Sequence, residues 1–193
     1  MRKLHLIIVS FAMLVSATSF AEPKDTVDKK VQFEAKEDGG YESSAVTETV
    51  SETGTKEKIK TVEKVDISPD GHVVGTVKTD TITNPKGLMN ETYKQEEAKN
   101  KINPDGSAEL DAHSKSVDKT GTAVDSTLKT VSKINEDGTT RTTSNLKTTI
   151  DPKGMLNKQV IETNKVTDSA KDGAATTFVE KKVDGKVVEK SVQ

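Results

Sequence analysis

The sequence predicts an all-β chain: an up-and-down antiparallel meander of about 10–11 long strands in an open or loosely curled sheet, preceded by a signal-peptide helix. Three observations predict it. Glycines fall at positions 39, 54, 71, 87, 106, 121, 138, 154 and 173, so the first four intervals between them recur in the same order as the last four. Most of these glycines close a four-residue turn signature, as in Ser68-Pro69-Asp70-Gly71 and Asn103-Pro104-Asp105-Gly106. The segments between them are rich in Thr, Val and Ile, whose branching at Cβ restricts χ1 and favours extended backbone.

The first element is an export signal over residues 1–21. Arg2 and Lys3 form a positive start, Leu6 to Val15 an apolar run, and Ser19-Phe20-Ala21 a small-x-small cleavage site before Glu22. The apolar run is shorter than the roughly 20 residues that a helix needs to cross a bilayer. No Cys follows it, so a lipoprotein anchor has no attachment atom, and the expected location is the periplasm or the extracellular space. After Ala21, Leu, Ile, Val and Phe together make up about a fifth of the chain, too little for a large core. The whole chain carries 29 Lys and Arg against 31 Asp and Glu, and removal of Arg2 and Lys3 with the signal leaves a slight acidic excess. That balance argues against a nucleic-acid partner.

Residues 22–37 form an N-terminal strand or arm. Residues 38–104 and 105–171 read as two copies of one 67-residue unit: Asp38 to Gly106 aligned with Asp105 to Gly173 gives 19 identities in 69 positions without a gap. A tandem duplication of four strands and four turns is the simplest account. Residues 172–193 close the chain as a C-terminal hairpin.

Within the turns, Asn, Asp or Ser at the first place offers a side-chain oxygen as a cap, Pro at the second pre-sets φ, and Gly at the fourth takes the left-handed conformation of a bulged hairpin. Gly54, Gly87, Gly121 and Gly154 should lie at one end of the sheet, and Gly71, Gly106 and Gly138 at the other. The turns at Lys36–Gly39, Ala170–Gly173 and Lys182–Gly185 are poorer versions. Apolar residues recur just before turns, with Ile67, Ile102 and Ile134 expected at one end and Val50, Val117 and Ile150 at the other. Thr55 to Val65 and Glu91 to Lys101 are charged enough for helix to compete. Hydropathy alternates poorly elsewhere: Val73 and Val77 point opposite to Val74 and Ile82, so a thin core is expected on either face.

A closed β-barrel, soluble or in the outer membrane, is the alternative. A membrane barrel needs apolar lipid-facing positions and aromatic girdles, which Leu88 to Ala98 does not supply on either face. In composition and layout the chain resembles the single-layer sheet of spirochaete outer-surface lipoproteins, which are also rich in Lys, Glu and Thr. That likeness is architectural, without a shared motif, and transfers no function.

Nothing in the sequence assembles a catalytic, cofactor-binding or metal site, and an enzyme is not expected. His72 and His113 complete no triad, and their counterparts across the duplication are Thr139 and Val46. Asp70, Asp105 and Asp137 beside Gly lack the further ligands of a calcium loop. Lys56, Lys58, Lys60 and Lys64 make a basic stripe on one strand face, with Glu57 and Glu63 on the other. The expected function is an exported structural or interaction scaffold of the cell envelope or extracellular space. Its partners would be a protein, an envelope or matrix surface, or other copies through exposed edge strands, above all Lys186 to Val192. The alternative is a barrel binding a small amphiphile or glycan, which would need Phe33, Tyr41, Tyr93 and Phe178 to converge.

Overall fold

The computed structural model describes residues 26–86, 91–154 and 157–193, and the signal segment, Gly87 and Leu88–Asn90 lie outside them. Eleven strands follow one another: β1 (Thr26–Ala35), β2 (Tyr41–Val50), β3 (Lys56–Ile67), β4 (Val73–Asn84), β5 (Thr92–Ile102), β6 (Ala108–Val117), β7 (Ala123–Ile134), β8 (Thr140–Asp151), β9 (Gln159–Ser169), β10 (Ala175–Val183) and β11 (Lys186–Val192). They form one sheet in sequence order, every neighbouring pair antiparallel. The sheet is open, with β1 and β11 as its two edges, which removes the closed barrel. Both segments where helix competed are strands, β3 and β5. Among the described residues no helix is long and apolar enough to cross a membrane.

Turn chemistry builds this meander. In seven turns the glycine N–H donates to the carbonyl three residues back, while the first residue's N–H donates to the carbonyl four residues on. Ser51–Thr55 shows it with Gly54 N to Ser51 O at 2.8 Å and Ser51 N to Thr55 O at 2.9 Å. This is a type I turn closed by a left-handed residue, and Gly39, Gly54, Gly71, Gly106, Gly121, Gly138 and Gly173 all have φ between 79° and 89°. The turns at Lys36 and Ala170, poor by sequence, take the same geometry. The last hairpin differs: Asp184 (φ 49°) and Gly185 (φ 78°) form a two-residue turn, the form that matches strand twist when both residues are left-handed.

The capping chemistry is also redistributed. Asp118 and Ser51 cap from the first place, Asp118 Oδ1 accepting from Thr120 N at 2.8 Å and Thr122 N at 3.0 Å. In the Asn-first turns the third-place carboxylate accepts instead, Asp105 from Ser107 N (2.8 Å) and Asp137 from Thr139 N (2.9 Å). Asn103 and Asn135 donate their amides to the same flanking hydroxyls, Ser107 and Thr139. A carboxylate is the stronger acceptor, so it takes the N–H and leaves the amide as donor.

Strand registers recur between the two halves of the meander. Tyr41 pairs with Val65 as Ala108 pairs with Ser132, and Val73 with Ile102 as Thr140 with Ser169. Contacts run only between sequential strands, so this is a single layer, and among the described residues no hydrophobic side chain is buried. Thr79, 5% exposed and paired through its hydroxyl with Thr61 at 3.3 Å, is the buried polar residue.

Candidate functional site

The register sorts the side chains, because residues paired across antiparallel strands share a face and neighbours along a strand alternate. One face carries Ala45, Thr61, Thr79, Glu96, Ser114, Ser126, Thr148 and Ile161 in one row across β2–β9. Across β1–β10 this hydroxyl face holds seven charged residues: Lys29, Glu57, Glu63, Lys94, Glu96, Lys165 and Lys181. The opposite face holds the other 28. The sheet is therefore two-faced, although its hydropathy barely alternates.

On β6, β7 and β8 the hydroxyl face bears no charge at all. Its 17 positions are Ala, Leu, Val, Ile, Ser and Thr. The hydroxyls bond across strands, Ser126 with Thr148 at 3.0 Å, Thr130 with Ser144 at 2.9 Å and Thr142 with Ser132 at 3.1 Å. Each pair engages one hydroxyl hydrogen within the sheet, so part of their polar capacity is turned inward. Leu128 faces Leu146 directly, and Ala112 and Ala98 continue that row to Val77.

The charged face is laced with pairs of opposite sign. Lys58 meets Glu48 at 2.6 Å, Lys147 meets Glu162 at 3.0 Å, and Glu180 lies between Lys182 (2.9 Å) and Lys190 (3.1 Å). The Lys58 ammonium, hydrogen-bonded to Glu48, lowers that carboxyl, and the Lys36 ammonium does the same for Asp66. Lys56, Lys58, Lys60 and Lys64 share this face, with Glu57 and Glu63 on the other, as expected from sequence. Exposed pairs of this kind add little stability each.

The histidines are drawn into neighbouring polar groups. His72 lies in the β3–β4 turn, its Nδ1 3.0 Å from Asn103 Oδ1 and its Nε2 3.3 Å from Asp70, so it bridges two adjacent turns. His113, on the charged face of β6, contacts Asp125 at 3.0 Å. Asp70, Asp105 and Asp137 have their carboxyls lowered by their own turns: by the Ser68 hydroxyl, the Ser107 hydroxyl and the Thr139 N–H respectively. Among the described residues no group of three or more His, Cys, Asp and Glu could hold a metal ion.

The four aromatics do not converge. Phe33 and Tyr41 stack on the hydroxyl face at β1–β2 with ring centroids 5.7 Å apart. Tyr93 and Phe178 stand on the charged face, on β5 and β10. Phe178 borders a shallow open depression of about 420 Å³ with Val166, Val192, Glu180 and Lys190. The Tyr41 hydroxyl donates to Glu63 Oε1 at 2.7 Å, and that bond pushes the phenol up to about 12.

At the C-terminal edge, β11 is better guarded than its sequence suggests. The register slips between Lys181, opposite Glu189, and Lys182, opposite Val187, so Val188 is an unopposed bulge. Bulges twist an edge away from further pairing.

Comparison of the chain with protein-family models, with curated proteins and with solved structures gives no match in any of the three. The functional argument therefore rests on the sheet. The hydroxyl face was the feature that sequence reasoning missed. Its signal is clearest in charge, in runs such as Glu109, Asp111, His113 and Lys115 alternating with Leu110, Ala112 and Ser114.

Proposed function

We propose that the chain is an exported, non-enzymatic structural or interaction protein of the cell envelope or extracellular space. It acts as a repetitive polar β-sheet scaffold that presents surface to a protein partner, to a matrix, or to copies of itself. The observation that carries this reading is the single-layer sheet with one densely and one sparsely charged face, both open to solvent. A sheet of this kind offers area and regularity and has no enclosed interior. The signal-like start, Arg2 to Ala21, supports export. The titratable groups that could do chemistry are engaged in turns and surface pairs, which supports a role other than catalysis.

Native mass spectrometry of the protein recovered from the envelope and the medium tests it. The expected result is a signal-free chain, assembled or bound to a macromolecule. A monomer that retains a small molecule through gel filtration would overturn the scaffold reading, and a chain recovered only in the cytoplasm with Met1 to Ala21 intact would overturn export.

A further inference from the structure

We propose that two copies of this chain pack hydroxyl face to hydroxyl face over β6–β8, forming a β-sandwich whose core neither copy has alone. The inference rests on the scaffold reading and deepens it, naming the face and the partner, and it does not depend on export.

Area is the first argument. Three strands of about 11 residues cover roughly 500 Å² of sheet at ~4.8 Å between strands and ~3.3 Å per residue. The adjoining uncharged positions on β4 and β5, Val73, Gly75, Val77, Ala98, Asn100 and Ile102, add roughly 200 Å² by the same spacing. Two copies would together cover about 1,400 Å², within the range of stable protein interfaces. Side chains here are short, so two such sheets can approach to the usual ~10 Å.

Desolvation is the second. A face must lose its water to be covered, and polar groups left without partners make that costly. Here six of the nine hydroxyls are already bonded to one another across strands, which lowers that cost: Ser126 with Thr148, Thr130 with Ser144, and Thr142 with Ser132. Between them lie Leu110, Val124, Leu128, Ile134, Leu146 and Ile150. Leu146 and Ile134 are 39% and 50% exposed, so apolar area remains to be gained. Nine hydroxyls among 17 positions make the face too polar for lipid and suit it to a surface of its own kind.

Charge is the third. Identical copies meeting through a charged face would oppose like charges, whereas this patch has none. A two-fold axis running along β7 sets the patch on its counterpart, β6 over the partner's β8 and β7 over β7, and leaves Lys94 and Glu96 of β5, paired with each other, at the margin. The interface would then have an uncharged centre and a charged rim.

The chain has no cysteine, so single introduced thiols report without background. Light scattering on the full exported chain across a concentration series should give the mass of two chains. The thiol of Ser114→Cys, on the hydroxyl face, should be protected from maleimide at high concentration and reactive on dilution. That of His113→Cys, on the charged face, should react throughout. Leu128→Glu should weaken pairing by roughly a hundredfold or more, since it buries a charge without a partner. Val131→Glu on the charged face should leave pairing unchanged. A chain monomeric at every concentration, equal reactivity of both thiols in an oligomer, or an oligomer indifferent to Leu128→Glu each overturns the proposal. Should Leu128→Glu lose its sheet signal in circular dichroism, the thiols in the otherwise unaltered chain decide. A monomer without ligand overturns only the pairing, whereas a monomer holding a small molecule overturns the scaffold reading as well.

Discussion

Gly40→Ala should be the most damaging glycine substitution in the N-terminal half, for a reason unrelated to turn geometry. Gly40 is buried, outside the left-handed region, and its N–H donates to Asp38 Oδ1 at 2.9 Å. A methyl group added there would lie 2.3 Å from the Val65 carbonyl oxygen and 3.2 Å from its carbon. The obstacle is backbone, so relief requires β3 to move against β2 where Tyr41 pairs with Val65. Overpacking of this kind costs about 2–3 kcal/mol. Restricting the unfolded chain returns about 0.4–1 kcal/mol, leaving a net loss of about 2 kcal/mol. Gly173→Ala is the control: φ is +89° and no atom lies within 4 Å, so only the left-handed penalty of about 1–2 kcal/mol applies, less the same return. Urea unfolding followed by circular dichroism measures both. If Gly173→Ala destabilises as much as Gly40→Ala, the steric reasoning is wrong.

Gly121→Val should cost about 1–2 kcal/mol in the same assay, from a β-branched residue held at φ +82°; a variant as stable as wild type would mean that this turn does not set the hairpin. Tyr41 should ionise near pH 12 in ultraviolet absorbance titration, because its hydroxyl donates to Glu63. Its pKa is raised on folding, so its contribution is complete below the ordinary tyrosine value of 10.0 and lost as pH rises through about 12; Glu63→Gln should bring the midpoint down, and an unmoved midpoint would refute the assignment. The Asp118 carboxyl is lowered from 3.8, first by the Thr120 hydroxyl, so its contribution is present above 3.8 and disappears as pH falls through the lower folded value. Asp118→Asn should therefore flatten the acid limb of the stability profile, and an identical acid limb would show that the turn carboxylate is uncoupled from folding.

The meander was legible because turns are local. Asn103-Pro104-Asp105-Gly106 carries its φ requirements within four residues, and the structure meets them at 84°. Pre-turn Ile67 and Ile134 were legible for the same reason: each lies against the neighbouring turn at its end of the sheet, Ile67 over Gly39 and Ile134 over Gly106. The two-faced character was not legible from hydropathy, because Ser and Thr count as polar although their hydroxyls pair within the sheet. Thr130 and Lys129 both count as polar, yet one bonds Ser144 within the uncharged face and the other lies 3.9 Å from Asp111 on the charged one. The bulge at Val188 had no local signature either, since it lies in how β11 pairs with β10.

A sheet with no buried apolar face must fix its register by some other means. Registers are held firmly where a one-residue slip would expose a core, and weakly where both faces are wet. Here a slip in β3 would exchange the Lys58 face for the Glu57 face at little hydrophobic cost. The turn supplies the missing constraint, because a hairpin closed by a left-handed glycine admits one register for the strands that leave it. Four of the turns also lie against the next turn at their end of the sheet: added methyls would meet Pro104 at Gly71 and Lys171 at Gly138, and Lys86 at Gly54 and Lys153 at Gly121. These contacts recur at matching places in the two halves, as the registers do. The residues that match across the two halves of the sequence are mostly turn residues and the apolar residues before them. In a single-layer sheet those are the residues that decide which strand atoms meet, so strand surfaces are free to diverge while the scaffold keeps its shape.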